Sequence, residues 1–173
     1  RFDAAAAAYA RAIARAGGQG DWTLHLQRGG ALEQGGRWQE ALPVLRRAAE
    51  LAPDEAAALN YLGYAQAERG ENLGEAVLLL ERASRLSPDD ASITDSLGWA
   101  YYQHGDVARA LPLIERAARA EPVNPAIQEH LGDVLWRSGR RYEARYAWAA
   151  AATGADGALA ERLAAKRQRG LSR

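Results

Sequence analysis

Residues 95–106 read DSLGWAYYQHGD: two acids and three aromatic rings around Leu97-Gly98, with a second glycine, Gly105, seven residues after the first. Ser96 beside Asp95 raises the prospect of a catalytic pair. Leu-Gly closed by a later glycine is instead what a helix carries when it packs tightly on a partner and then stops. The rest of the chain decides between the two, because the pattern recurs.

The stretches RGGALEQGG, NYLGYAQAERG and EHLGDVLWRSG align with it through Gly29, Gly63, Gly98 and Gly132, which are 34, 35 and 34 residues apart. Each is followed seven residues on by Gly36, Gly70, Gly105 and Gly139. Five residues later comes Ala41, Ala110 or Ala144, but six later in the second unit, at Ala76; the extra residue lies in GENLGEA and accounts for the interval of 35. A fixed period of this length is the signature of a stacked array of helix pairs.

Each unit reads as helix, turn, helix. The second glycine ends the first helix in a left-handed cap. Pro53, Pro88 and Pro122 close the second helices, and Asp54, Asp89 and Asn124 are expected to cap the next ones. Pro43 and Pro112 are expected within about four residues of a helix start, where backbone N–H groups have no intrahelical partner. Gly29, Gly63, Gly98 and Gly132 should let paired helices approach, with Ala41, Ala76, Ala110 and Ala144 opposite. Leu45, Leu80, Ile114 and Trp148 should fill the space between, and Ala48, Ala83, Ala117 and Ala151 should keep successive units close.

Composition narrows the function. The 22 basic and 22 acidic residues cancel, so no global field favours nucleic acid or an anionic membrane. The local basic bias at Arg162, Lys166, Arg167, Arg169 and Arg173 reads as a solvated helix end. Cysteine is absent, which removes disulfides, thiol nucleophiles and zinc–thiolate sites. No apolar run approaches the roughly 20 residues needed to span a bilayer. Methionine is absent even at the start, which suits a processed product or a fragment. Arginine supplies every cation but Lys166, and with abundant alanine this suits a GC-rich bacterial genome.

These columns resemble the tetratricopeptide repeat over about 150 of the residues. The resemblance implies an all-α, right-handed α-α superhelix of antiparallel helix pairs in a single domain, 1–173. Residues 1–16 (RFDAAAAAYARAIARA, with Phe2, Ala5, Tyr9 and Ala12 in register) form the second helix of a truncated repeat. Repeats follow at 22–53, 56–88, 91–122 and 125–153, with a capping helix at 156–169. The first helix should then offer a face that an upstream helix would cover.

In such arrays one stripe of each first helix lines the concave surface. Here the stripes are Leu26, Gly30, Glu33 and Gln34; Asn60, Tyr64, Ala67 and Glu68; Asp95, Trp99, Tyr102 and Gln103; and Glu129, Asp133, Trp136 and Arg137. Tyr64, Trp99, Tyr102 and Trp136 are expected as flat platforms in the groove, with Tyr101 and Trp148 packed between units. The partner-binding set is therefore Asn60, Tyr64, Glu68, Asp95, Trp99, Tyr102, Gln103, Glu129, Asp133, Trp136 and Arg137. Its acidic bias predicts a neutral or basic protein segment as ligand. It differs from the carboxylate-gripping clamp of chaperone-docking relatives, whose columns here hold Leu26, Asn60, Asp95 and Glu129; only Asn60 fits.

Enzyme readings fail on context. Ser96 has no base at a predictable distance and no GxSxG elbow occurs. Gly17-Gly18-Gln19-Gly20 follows a helix rather than a strand, so it reads as a loosened turn and not as a phosphate loop. His104 sits at a helix end, where a cation is favoured, and His25 reads as packing. His130 points about 100° away from the face shared by Glu129 and Asp133, so no metal site forms. No cofactor and no catalysis are expected.

The leading expectation is a non-catalytic adaptor or scaffold that binds no nucleic acid and inserts in no membrane. The runs from WTLHLQRGGALEQGGRWQEA to EHLGDVLWRSGRRYEARYAW resemble the C-terminal arrays of proteobacterial tetratricopeptide proteins. Some of these are outer-membrane lipoproteins acting in the periplasm, which implies an envelope location and a periplasmic protease partner. A second expectation is homo-oligomerisation through the open first helix or the capping end.

Overall fold

The computed structural model describes residues 1–17 and 21–171. Gly18, Gln19, Gly20 and Arg173, which entered the readings of the turn and of the basic end, lie outside them. Ten helices follow one another: α1 (Phe2–Arg15), α2 (Trp22–Gln34), α3 (Trp38–Leu51), α4 (Ala56–Arg69), α5 (Leu73–Leu86), α6 (Ala91–Gln103), α7 (Val107–Ala120), α8 (Pro125–Arg137), α9 (Arg141–Ala151) and α10 (Gly157–Arg169). No strand occurs among the described residues. Helices α2 to α9 form four pairs, α2·α3, α4·α5, α6·α7 and α8·α9, and each second helix also packs on the first helix of the next pair. First helices touch one another in turn, α2 on α4, α4 on α6, α6 on α8.

The small-to-large pairing holds each pair together. A Cβ added at Gly29 would lie 2.4 Å from Leu45, at Gly63 2.7 Å from Leu80, at Gly98 2.6 Å from Ile114 and at Gly132 2.3 Å from the Trp148 ring. Those four large side chains and Ala41, Ala76, Ala110 and Ala144 are wholly buried. Such close-packed contacts tolerate no added methylene without rearrangement. Gly36, Gly70, Gly105 and Gly139 all take positive φ, between 66° and 93°, and turn the chain out of each first helix. The extra residue of the second unit is absorbed at Asn72, whose φ of 50° makes it the one non-glycine with positive φ among the described residues.

Three local expectations are corrected. The α6 cap is Asp90, which accepts from Ile93 N–H; Asp89 lies one residue too early. Helix α4 starts from Glu55 with no side-chain cap, and Asp54 instead pairs with Arg82 at 2.8 Å. Asn124 does cap α8. Pro43 and Pro112 are sixth in their helices, which begin at Trp38 and Val107, so each lies beyond the first turn and removes a regular backbone bond. Both prolines are exposed, as are Gln39 and Ala108 four residues before them, so the missing bonds fall on the outward side of each helix.

Candidate interaction groove

The first helices place their stripes side by side, and an acid on one meets a cation on the next. Glu33 of α2 accepts from Arg69 of α4 at 2.7 Å. Asp95 of α6 contacts Nδ1 of His130 on α8 at 2.8 Å. Glu129 of α8 binds Arg162 of α10 through two bonds of 2.7 and 2.8 Å and Lys166 at 2.6 Å, and Lys166 also reaches Asp133 at 2.7 Å. One step breaks the series: α6 carries no Lys, Arg or His, so Glu68 of α4 finds no cation there. It lies 3.7 Å from His130 Nε2, two first helices away.

Helix α10 therefore behaves as one more first helix, and the groove is unequal along its length. Of the expected contact residues, Asp95, Glu129 and Asp133 are buried, as is Trp99 at 8% exposure. The expectation that Trp99 stands open in the groove does not hold. Its ring lies between His130, stacked at 4.0 Å, and Tyr102, stacked at 5.0 Å. Asp133 also accepts from Trp148 Nε1 at 2.8 Å. Trp136 is half-buried, tilted on Trp148 at 5.5 Å and pressed so closely on Gly170 that a Cβ there would sit 1.9 Å from its ring. Tyr102 and Gln103 are half-buried, and exposed Arg137 donates to the Tyr102 hydroxyl at 3.4 Å.

Upstream the surface is open. A pocket of about 480 Å³ is lined by Glu33, Asn60, Tyr61, Tyr64, Ala65, Glu68 and Arg69. Asn60 Oδ1 is buried at its edge without a hydrogen-bond partner among the described residues. Beside it, Phe2, Ala5 and Tyr9 of α1 face Leu26, Gly30 and Gln34 of α2 across a depression of about 650 Å³. Tyr61, Arg69, Arg162 and Lys166 were missed by sequence reasoning. The signal was present, since acid and cation lie 33 to 37 residues apart in each case, one repeat along the chain.

The electrostatics follow from this arrangement. Burial alone would lower His130, but its bonds to Asp95 and then Glu68 outweigh it and hold the imidazole up at about 9. It is thus a cation at neutral pH, shared by two carboxylates. Its hydrogen bond is also the first cause holding Glu68 low. Burial would raise Glu129, yet the bonds from Arg162 and Lys166 bring it down to about 2. Asp133 goes the other way, raised by burial against the opposing pull of Lys166. Burial, reinforced by Glu68 and Asp95, pushes the Tyr64 hydroxyl up. Among the described residues no group of His, Cys, Asp and Glu is placed to hold a metal ion. No helix there is long and apolar enough to cross a membrane.

Stacked helix pairs of this kind define a protein-interaction scaffold. The family model for the tetratricopeptide repeat matches residues 1–56, 34–91 and 96–160, and the chain belongs to that family. Its fold is similar to that of TTC0263, a thermophilic tetratricopeptide protein of Thermus thermophilus, with a TM-score of 0.77 at 23% identity over 95% of this chain and 90% of that one. It is also similar to MamA, with 0.69 at 23% over 94% and 91%. A third similar structure is YrrB, described as a tetratricopeptide protein with an unusual peptide-binding site, with 0.66 at 22% over 95% and 86%. Among curated proteins, none matches the sequence.

Proposed function

We propose that the chain is a non-catalytic adaptor whose concave face holds a basic segment of a partner protein, engaged chiefly by Asn60, Tyr64 and Glu68. The observation that carries this reading is the missing cation between α4 and α6. Every other step joins an acid to a basic side chain of the next first helix, whereas Glu68 and the unpartnered Asn60 Oδ1 border an open pocket. An arginine or lysine of the ligand would complete the series there. Tyr61 and Tyr64 would flank its aliphatic stem. Asp95, Trp99, Tyr102, Gln103, Glu129, Asp133, Trp136 and Arg137 then shape and stiffen the groove more than they touch the ligand. YrrB, described as having an unusual peptide-binding site, supports a peptide as the kind of ligand, and an envelope adaptor working with a processing protease is the setting that the family resemblance supports.

The test is selection of a randomised 12-residue display library on the immobilised chain. Enrichment of Lys or Arg, with binding reduced at least tenfold by Glu68→Gln and by Asn60→Leu at unchanged melting, is the expected result. Enrichment of acidic peptides, or indifference to both substitutions, overturns the reading.

A further inference from the structure

Away from the concave face, α9 and α10 enclose a second cleft of about 500 Å³, lined by Tyr142, Arg145, Tyr146, Ala149, Ala164, Arg167 and Gln168. Tyr142 and Tyr146 stand one helical turn apart on α9 and are 84% and 76% exposed. The cleft contains two guanidinium groups and no carboxylate. The nearby acid on α9, Glu143, is engaged by Arg140, which also holds Glu115. Arg145 is held in place: its Nε donates to the Arg167 carbonyl at 3.0 Å and its guanidinium lies 5.0 Å from the Trp136 ring. Arg141 lies over the same ring at 5.2 Å. Arg141, Arg145 and Arg167 are exposed and have no carboxylate partner among the described residues.

We propose that the α9–α10 cleft docks an acidic segment of a partner protein, with carboxylates on Arg145 and Arg167 and an apolar side chain between Tyr142 and Tyr146. Charge complementarity selects this occupant. Guanidinium groups bind carboxylates in a planar fork, and a pre-positioned Arg145 loses little freedom on binding. Two tyrosine rings over an alanine floor suit a single apolar side chain flanked by acids. Nucleic acid would need a basic track extending beyond the cleft, and Glu115 and Glu143 interrupt it on the α7 side. A second copy docking through its α1 end would bring Arg1, Arg11 and Arg15 of that helix against these cations, with only Asp3 to offset them.

The probe is a 12-residue peptide alternating Asp and Glu with Leu and Phe, compared with its Asn/Gln counterpart, a 12-nucleotide single-stranded DNA and phosphatidylserine vesicles. Binding is followed by amide chemical shifts of the whole chain. The acidic peptide is expected to shift α9 and α10 selectively, to bind at least tenfold more tightly than the neutral one, and to weaken as salt is raised. Arg145→Glu with Arg167→Glu should remove the binding. Because Arg145 also braces Trp136, Tyr142→Ser with Tyr146→Ser, both on exposed positions, must weaken it at least fivefold without change in melting. Glu68→Gln should leave it untouched, which separates this site from the groove. Tighter binding of DNA or vesicles than of peptide, equal binding by the tyrosine variant, or a concentration-dependent dimer that shields the cleft would each overturn the proposal.

Discussion

The two halves of the face formed by the first helices are built from the same columns of the same repeat, yet one is closed and the other open. In the downstream half, Asp95 meets His130, Glu129 meets Arg162 and Lys166, and Trp99 is sandwiched between rings. In the upstream half, Tyr61, Tyr64 and Glu68 border a pocket; buried polar atoms without a partner among the described residues occur in both halves, Asn60 Oδ1 upstream and Asp95 Oδ1 and Trp99 Nε1 downstream. The difference lies not in the acids, which both halves possess, but in one step: Glu33 is answered by Arg69 on the next first helix, whereas α6 supplies no cation to Glu68. A groove residue is therefore defined by its neighbour one repeat along as much as by its own position.

The largest expected effect comes from overfilling the closed half. Gly132→Leu drives a side chain into the rigid Trp148 ring and should cost about 3 kcal/mol or more, whereas Gly29→Leu meets only the flexible Leu45 and should cost about 1–3 kcal/mol. Urea midpoints of the two variants measure the contrast; equal losses would mean that the halves are equally adaptable.

Next is the pH dependence set by His130. Its folded value of about 9 lies above the ordinary 6.5, so the stabilisation is complete below about pH 6.5 and is lost as pH rises to 9. The loss should be on the order of 3 kcal/mol by linkage, and His130→Gln should flatten the profile over that window. A profile equally steep in the variant would place the titration elsewhere. Acid acts on the other joint: Glu129, held at about 2 against an ordinary 4.5, stabilises the docking of α10 above pH 4.5 and ceases to do so as pH falls toward 2. Glu129→Gln should accordingly raise amide exchange in α10 at neutral pH, at a cost of about 1–3 kcal/mol, while leaving α2 to α5 as protected as before.

The smallest stability effect, about 1 kcal/mol or less, is expected for Glu68→Gln, because that side chain is 41% exposed and 3.7 Å from His130, while Asp95 keeps the closer contact at 2.8 Å. A large loss on thermal melting would show that Glu68 belongs to the closed half after all.

Much of this was legible beforehand. The glycine intervals and the large residues facing them encode contacts within one helix pair, and those local rules carried through to Leu45, Leu80, Ile114 and Trp148. The burial of Trp99 and the docking of α10 were not legible from the stripe alone. They depend on side chains contributed from a neighbouring unit, and α10 lacks the glycine and alanine columns that mark a repeat. His130 was read only against Glu129 and Asp133 on its own helix, which was the wrong comparison; its partner is one repeat upstream. Pro43 misled because Arg37 starts α3 without a side-chain cap to mark the boundary; Pro112 did not have that excuse, since Asp106 caps α7 directly before Val107.

The left-handed Asn72 has a consequence for how such a chain can drift over generations. A residue gained between the two helices of a pair is swallowed by a reversal at the rim, and Glu71 beside it even gains a bond from Trp38 at 2.7 Å. The same gain inside α4 would rotate everything beyond it by about 100° and turn Asn60 and Glu68 away from each other. Length variation among descendants should thus gather at the rim turns and spare the inner rods.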